Sequence, residues 1–340
     1  MLALRAGRPV PLQAQDRAAG AQDRGAREAV LNSAGRPARP GAGAASPARR
    51  RLLLLGGALL ASHAARAALG VRDDTGQELR LAHPARRIVA LSPQLVELCL
   101  AAGAGSRLVG TIGGARLPAA VASLPRVGDA FGLNLEALAM LRPDLVLAWR
   151  SGTPPRQAAA LRRLGFPVYW SEIRDLRDVG ETVLRIGELA GTAAQARAWA
   201  GDYARRLRAL RERAHAGGAA PVRVFFQAWP APLMTIGGGQ AIDRAIRLCG
   251  GINVFGELRA PAAQVSREAV LARDPQLIVA ASPDPRALQA WQAFAQLSAV
   301  RHRRLVLLDP DGLPRMGTGT IAAVEQLCRV IDASRATAAR

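Results

Sequence analysis

Short apolar runs alternate with segments of helical periodicity along most of this chain. The β-rich runs lie at residues 87–91, 108–112, 144–149 and 168–170, and a second set lies at 222–227, 276–281 and 304–309. Apolar runs of this length that alternate with helical segments are typical of parallel strands in an α/β fold. The pattern therefore predicts an α/β protein with two similar lobes, each built on a largely parallel sheet.

A longer helical segment separates the two sets of strands. Residues 193–216 place Trp199, Tyr203 and Leu207 at helical spacing among many charged residues, and a pair of glycines follows. We expect one long helix to join the lobes. The predicted domains are a leader with a signal peptide (residues 1–67), an N-terminal lobe (68–192), the linking helix (193–217) and a C-terminal lobe (218–340).

An internal repeat supports the division into two lobes. At a constant offset of 132 residues, each copy has an N-cap residue (Asn134 or Ser266) and an acidic residue in the first helical turn (Glu136 or Glu268). A short helix, a break that contains proline, and a buried strand follow in both copies. Two similar lobes joined by a helix form a cleft, and clefts between domains bind small ligands.

The amino terminus has the character of an export signal. Three arginines at 49–51 precede an apolar run at 52–61, and a small-x-small cleavage site follows at 65–67. About ten apolar residues are too few to cross roughly 30 Å of hydrocarbon. We therefore expect a cleaved signal peptide and a periplasmic protein. The paired arginines resemble a twin-arginine export signal, and ordinary secretion stays open as the alternative route.

Composition excludes several kinds of chemistry. The chain of 340 residues is half apolar, which is enough for two domains with buried cores. It contains no lysine, which excludes a phosphate-loop lysine and Schiff-base catalysis. Its three cysteines and four scattered histidines do not have the spacing of a metal cluster, so we expect neither a metal site nor a cofactor.

The net charge of +20 raises the question of nucleic-acid binding. The arginines are dispersed through helical segments without interleaved aromatic residues, and stacking on bases needs such residues. We expect no nucleic-acid partner.

Four segments carry a resemblance to a known family. Their sequences are VGDAFGLNLE at 127–136, RPDLVLAWR at 142–150, LCGG at 248–251 and QVSRE at 264–268. These segments resemble the periplasmic cobalamin-binding proteins of ABC importers, which belong to the helical-backbone class of substrate-binding proteins. The similarity extends from about residue 87 to residue 331. The resemblance implies a monomer that captures cobalamin or a related corrinoid and delivers it unchanged to an ABC permease.

The same resemblance implies a ligand site at the strand ends and following loops of both lobes. Aromatic faces would contact the corrin ring, and polar side chains would bond to its amides. The implied ligand-binding residues are Ser92, Pro93, Phe131, Trp149, Arg150, Trp229, Asp311 and Arg315. For Trp149, a core position at the end of a buried strand is an equal alternative. Three aromatic positions of the family fall at Gly114, Ala130 and Ala262 here, so we expect a thinner aromatic wall.

Two further pairs of residues receive roles from the resemblance. Glu136 and Glu268 match the glutamates with which the family docks onto arginines of the permease, and one charge on each lobe would orient the complex. Cys249 and Cys328 match two cysteines that form a disulfide, which agrees with an oxidising compartment. Cys99 lies at helical spacing from apolar neighbours, and we expect it to be buried.

Other functions stay open on sequence alone. A siderophore-binding or haem-binding protein of the same class shares the same strand starts, and arginines in the cleft would suit an anionic ligand. An exported enzyme is the alternative from another class. The chain lacks the Gly-x-Ser-x-Gly and His-Glu-x-x-His motifs, and its weak dinucleotide-like match at 317–322 is better interpreted as a loop that enters the last helix. We therefore expect a binding protein and not an enzyme.

Overall fold

A computed structural model describes residues 69–113, 117–129, 132–215 and 220–336. The leader and signal peptide predicted for residues 1–67 lie outside the described residues, as do Phe131, Gly114 and Ala130. The described part of the chain contains two large β-sheets flanked by helices, which is the α/β architecture that the apolar runs predict.

The first large sheet consists of four parallel strands. An antiparallel hairpin of β1 (Leu69–Arg72) and β2 (Glu78–Leu81) precedes it. The sheet contains β3 (Ile88–Ala90), β4 (Leu108–Thr111), β5 (Leu145–Trp149) and β6 (Val168–Ser171), in the spatial order β4-β3-β5-β6. All of β3 and the first four residues of β5 are buried, because helices and loops cover both faces of a parallel sheet. We call residues 69–190 the first lobe.

The second large sheet is mixed. Its described strands are β7 (Val222–Pro230), β8 (Leu233–Ile236), β9 (Gly251–Asn253), β10 (Ala262–Gln264), β11 (Leu277–Ala281) and β12 (Leu305–Leu308). The spatial order is β10-β8-β7-β11-β12, and β9 pairs with β7. β7, β9, β11 and β12 are parallel, whereas β8 and β10 are antiparallel additions at one side. We call residues 222–336 the second lobe.

Helices cover the sheets and connect the lobes. The described α-helices are α1 (Pro93–Ala101), α2 (Leu135–Met140), α3 (Pro155–Arg163), α4 (Leu176–Ala190), α5 (Ala193–His215), α6 (Ala241–Leu248), α7 (Arg267–Arg273), α8 (Ser298–Arg301) and α9 (Thr320–Ala336). The 23 residues of α5 run from one lobe to the other, as the sequence predicts. None of these described helices is long and apolar enough to span a membrane.

The internal repeat is also visible in three dimensions. α2 and α7 start at Asn134 and Ser266, whose side chains accept hydrogen bonds of 2.9 and 3.1 Å from the backbone N–H three residues later. Each helix then leads to a central strand of its sheet, β5 or β11, through a residue with left-handed backbone. These residues are Arg142 (φ 43°) and Asp274 (φ 39°). The two lobes therefore share one helix-break-strand unit.

A disulfide ties α6 to α9. Cys249 follows the last residue of α6 and is bonded to Cys328, as the resemblance implies, with the two Cα atoms 4.6 Å apart. The bond spans 79 residues of chain, and by restricting the unfolded chain it stabilises the fold by about 4 kcal/mol. Cys99 is buried in α1, as predicted, and burial raises the pKa of its thiol to about 12. A thiol of this kind is protonated at neutral pH and unreactive.

Candidate functional site

The carboxyl edge of the first sheet brings several of the predicted contacts together. The register of β3 against β5, continued beyond β3, places Ser92 beside Trp149. Pro93 and Arg150 follow these two residues directly. In open α/β sheets, ligands bind outside the carboxyl ends of the strands. This edge is therefore the part of the first lobe where a ligand is expected.

Trp149 presents its indole at this edge. It ends β5 after four buried residues and is itself 39% exposed, so its ring is not part of the core. The ring lies against Gly152, where a Cβ atom would overlap the indole. The carbonyl oxygen of Trp149 accepts a 2.6 Å hydrogen bond from Thr153 Oγ1. The turn after β5 thus supports the indole from one side, and glycine at 152 leaves room for it.

The other predicted contacts of this edge have different surroundings. Ser92 is buried, and its Oγ accepts a 3.3 Å hydrogen bond from the backbone N–H of Leu95, so it caps α1. Pro93 lies in the first turn of the same helix. Capping accounts for both residues without a ligand. Arg150 is exposed, and its side chain has no hydrogen bond or ion pair within the described part of the chain. Its guanidinium is accessible at the edge.

The carboxyl edge of the second sheet carries Trp229. The registers of β7 with β11 and of β11 with β12 bring the ends of these three strands together. Trp229 is 60% exposed near the end of β7, and its Nε1 donates a 3.1 Å hydrogen bond to the carbonyl oxygen of Ala231. This bond restrains the indole and leaves its faces accessible.

The two exposed indoles differ from the other tryptophans of the chain. Trp170 and Trp291 are buried, and Trp199 packs against the core. Tryptophan side chains are highly buried on average, so an exposed indole at the carboxyl edge of each lobe is unusual. Such a pair suits a broad apolar ligand that contacts both lobes.

Asp311 and Arg315 belong to a polar network that joins the lobes. Nη1 of Arg315 donates a 3.0 Å hydrogen bond to Oε1 of Glu97 on α1, and Nη2 donates to Oδ1 of Asp311. Oε2 of Glu97 accepts two bonds of 3.1 Å, one from the N–H and one from Oγ1 of Thr318. Glu97 is in the first lobe, and its two partners, Arg315 and Thr318, are in the second. The network therefore fixes α1 against the loop that follows β12.

Glu97 is a residue of this region that sequence reasoning missed. It is the single charged residue in α1, whose sequence is PQLVELCLA, and its side chain is 11% exposed. A charge in such an apolar helix indicates a buried partner, because charged groups are rarely buried unpaired. That partner lies 218 residues away, so no local pattern identifies it. Gly317 allows the close approach, since a Cβ atom there would overlap the Glu97 carboxylate.

Two further ion pairs restrain the lobes. Asp175, which caps α4 in the first lobe, lies 3.1 Å from Arg244 on α6 in the second. Arg206 on α5 donates two hydrogen bonds of 2.9 Å to the carboxylate of Glu325 on α9. The Asp175–Arg244 pair connects the two lobes directly, and the bidentate Arg206–Glu325 pair fixes the orientation of α5 on the second lobe.

A small cavity at the edge of the first lobe contains a second missed residue. The cavity has a volume of about 40 Å³ and is lined in part by Leu91, Thr153 and Gln157. The buried Nε2 of Gln157 has no hydrogen-bond partner among the described residues. A polar space of this size holds about one water molecule. No sequence pattern singles out Gln157, and its amide is placed to donate to a water or to a ligand oxygen.

Metal-ligating clusters and ionisable groups with raised pKa values would be signs of chemistry at the two carboxyl edges. Among the described residues, no group of three His, Cys, Asp or Glu side chains could hold a metal ion. The strongly raised pKa values belong to side chains in the interior, where burial raises the pKa of Tyr169 in β6 to about 12 and also raises that of Tyr203 on α5. The edges combine aromatic faces with arginine and carboxylate groups, a set suited to holding a ligand.

Glu136 and Glu268 occupy equivalent places on the two lobes. Both are exposed in the first turn of their helices, α2 and α7. Hydrogen bonds from its own backbone N–H and from Ser266 lower the pKa of Glu268, which keeps it ionised at neutral pH. Each carboxylate stabilises the start of its helix and can also meet a cation from another molecule.

Known proteins resemble both the sequence and the fold of this chain. Residues 88–311 match the family described as periplasmic binding protein. The chain is 35% identical over 246 residues to the vitamin B12-binding protein of Vibrio cholerae serotype O1, with 72% of this chain and 88% of that protein covered. A crystal structure of the periplasmic vitamin B12 binding protein of Vibrio cholerae matches with a TM-score of 0.68 and 34% identity, over 74% of this chain and 98% of the other. A periplasmic haem-binding protein from Pseudomonas aeruginosa matches with a TM-score of 0.62 and 26% identity, over 74% and 94%. The resemblance and the fold class that the sequence predicts are confirmed.

Proposed function

The chain belongs to the periplasmic binding protein family. On that premise, we propose that it captures cobalamin or a related corrinoid between its lobes and delivers the ligand to an ABC permease. A corrin is a broad apolar ring edged by amides. It needs aromatic surface and a few oriented hydrogen bonds, and it is passed on without chemical change. The similarity to vitamin B12-binding proteins over most of the chain supports this choice of ligand.

The observation that carries the proposal is the pair of exposed indoles. Trp149 and Trp229 stand at the carboxyl edges of the two sheets. The indole of Trp149 lies against Gly152, and the indole of Trp229 donates a hydrogen bond to Ala231. Restrained side chains lose little conformational entropy on binding, so more of the gain from covering their faces appears as affinity. Phe131 is a third proposed aromatic contact.

Asp311, Arg315 and Arg150 supply the proposed polar contacts. The Asp311 side chain is 46% exposed and bonded to Arg315, so its carboxylate is oriented and accessible to an amide N–H. Arg315 is 18% exposed and held by Glu97 from the other lobe. We assign Arg315 mainly to positioning Asp311, and Arg150 to an amide oxygen at the periphery. Ser92 and Pro93 shape the floor of the site through the start of α1.

Three positions that lack the family's aromatic residue lower the affinity that we expect for cobalamin. Ala262 is exposed at the start of β10, where its methyl group covers much less apolar area than an aromatic ring. Gly114 and Ala130 reduce the aromatic area in the same way. We expect weaker binding of cobalamin than in relatives with complete walls, or a preference for a corrinoid without the lower base.

Delivery is proposed to use the two lobes together. Glu136 and Glu268 would meet arginines of the permease, one on each half of a roughly symmetric contact. Met140 lies one turn further along α2 and is 81% exposed, which adds apolar area beside Glu136 in the first lobe. We further propose that residues 1–67 form the leader and signal peptide, that cleavage occurs near Ala67, and that the twin-arginine route or ordinary secretion exports a monomer that has no catalytic activity.

Haem and siderophores are the alternative ligands. Haem iron is commonly held by histidine or tyrosine. Tyr169 and Tyr203 are buried, and His83 and His302 precede β3 and β12, at the amino ends of the sheets. Residues 114–116 and 130–131 contain neither residue type. This placement favours a corrinoid over haem.

Titration calorimetry with four ligands tests the proposal. Cyanocobalamin, cobinamide, haem and a ferric siderophore are titrated into the exported protein under identical conditions. We expect heat from cyanocobalamin or cobinamide. Tight binding of haem or of the siderophore, with no heat from either corrinoid, would overturn the assignment of a corrinoid as the ligand. It would leave the family assignment intact.

A further inference from the structure

A cavity at the amino end of β12 has no place in the function proposed above. Its volume is about 410 Å³, and it lies between the start of β12 and one face of α9. Arg303, Arg304 and Arg329 line it together with His302, and none of its lining residues carries a carboxylate. We call it the arginine cavity.

Arg304 is the unusual member of the cavity. It is 7% exposed, and its Nη2 has no hydrogen-bond partner among the described residues. Arg315 and Arg335, whose side chains are 18% and 15% exposed, each have a carboxylate within 3.0 Å. A buried cation without a counterion is unfavourable. Arg304 therefore lacks the partner that the other well-buried arginines have.

Arg303 and Arg329 also favour an anionic ligand in the arginine cavity. Both are exposed, and neither forms an ion pair with a described carboxylate. His302 adds a further group: its Nδ1 lies 2.9 Å from the carbonyl oxygen of Ser298, and because a carbonyl only accepts, Nδ1 is the protonated nitrogen.

We propose that the arginine cavity binds a phosphate group. Guanidinium groups match phosphate oxygens in bidentate geometry, and several of them suit a dianion better than a single carboxylate. The cavity is large enough for a small phosphate ester, and Val306, Val330 and Ala333 provide an apolar wall for its organic part. The phosphate belongs either to a soluble ester or to a lipid headgroup.

The arginine cavity is separate from the corrinoid site. Arg304 precedes β12 and Asp311 follows it, so the two groups lie at opposite ends of one strand. The four residues of β12 span roughly 13 Å at the usual rise of an extended strand. Binding of phosphate and binding of a corrinoid can thus be measured independently, and either can fail without the other.

Calorimetry with inorganic phosphate at constant ionic strength is the first test. Wild type should bind, and Arg329→Gln and Arg303→Gln should each lose about fivefold or more in affinity through the loss of charge-assisted bonds. Arg304→Gln should lose at least as much; if it fails to fold, the two exposed variants carry the test. Arg197→Gln, which removes an exposed arginine from α5, is the matched control for net charge and should bind like wild type.

Vesicles distinguish the two sources of phosphate. The same proteins are sedimented with vesicles of phosphatidylglycerol and, for comparison, of phosphatidylcholine. Arg329-dependent binding to phosphatidylglycerol alone would assign the cavity to lipid headgroups, and Arg329-dependent heat with soluble phosphate would assign it to a soluble ester. If wild type binds neither, or if Arg329→Gln and Arg197→Gln bind equally well, the proposal is overturned.

Discussion

Replacing Glu97 tests whether the polar network between the lobes determines their arrangement. Glu97→Gln keeps the shape of the side chain and removes its charge. Arg315 then loses its first-lobe carboxylate, while its bond to Asp311 stays in place. Thr318 also loses a charged acceptor for two hydrogen bonds.

The surroundings of Glu97 determine how much stability the Glu97→Gln variant should lose. Removing one partner of a fully buried ion pair costs about 3–5 kcal/mol, and a hydrogen bond to a charged group contributes about 1.5–3 kcal/mol. Arg315 keeps one carboxylate partner and is 18% exposed. We therefore expect Glu97→Gln to lower the free energy of unfolding by about 2–3 kcal/mol, near the lower end of the first of these ranges. For a domain of this size, that corresponds to a fall in Tm of roughly 5–10 °C.

Thermal unfolding followed by circular dichroism measures this loss. Glu78→Gln is the control, because Glu78 pairs with Arg80 in the exposed hairpin of β1 and β2, where solvent weakens the attraction between the two charges. A cycle with Arg315→Gln and the double variant isolates the coupling between Glu97 and Arg315, which we expect to be about 2 kcal/mol. Equal losses for Glu97→Gln and Glu78→Gln, or a coupling near zero, would refute the reasoning.

Replacing both Glu136 and Glu268 with Ala should leave corrinoid affinity unchanged and abolish permease-dependent uptake of radiolabelled cobalamin, because the two charges proposed to meet the permease are lost. Replacing Cys249 and Cys328 together with Ser should lower the free energy of unfolding in urea by about 4 kcal/mol, since the unfolded chain regains its freedom. Gly152→Ala should displace the indole that rests on it and weaken cyanocobalamin binding in calorimetry by about tenfold, equivalent to about 1.4 kcal/mol.

Each of these predictions has a control in the same protein. Glu212→Ala removes an exposed carboxylate from α5 and should leave uptake normal. A reducing agent should bring wild type to the stability of the serine variant and should not affect that variant. Gly201→Ala adds a methyl group on α5 in ordinary contact distance of its neighbours and should leave binding unchanged. Full uptake without both docking glutamates, or an unaltered affinity in Gly152→Ala, would contradict the corresponding argument.

Much of the fold could be predicted from the sequence because the central strands are buried on both faces. β3, β5 and β11 appear as continuous apolar runs, and the 132-residue repeat marks the same helix and strand in both lobes. The hairpin of β1 and β2 was missed because each strand has four residues with a single buried position. β8 and β10 were missed for the related reason that they have four and three residues with at most one buried position.

Sequence indicates a candidate site residue only where its place in the order of elements is informative. Trp149 ends β5 and Trp229 lies one residue before the end of β7, so their position at the edges follows from the order of elements. Glu97 acquires its role from a partner 218 residues away, and the unpaired state of Arg304 depends on which groups surround it in space. Three-dimensional packing, and not local sequence, decides both.

The affinity for cyanocobalamin of proteins that lack the exposed indoles is the most direct test of corrinoid capture between the lobes. Burying a large apolar side chain contributes about 1.5–3 kcal/mol, so Trp149→Ala and Trp229→Ala should each weaken binding by roughly 10-fold to 150-fold. The double variant should lose approximately the product of the two factors, because the residues lie on different lobes. Leu164→Ala, which truncates a side chain that is 47% exposed after α3, should bind like wild type. Wild-type affinity in both tryptophan variants would contradict the account.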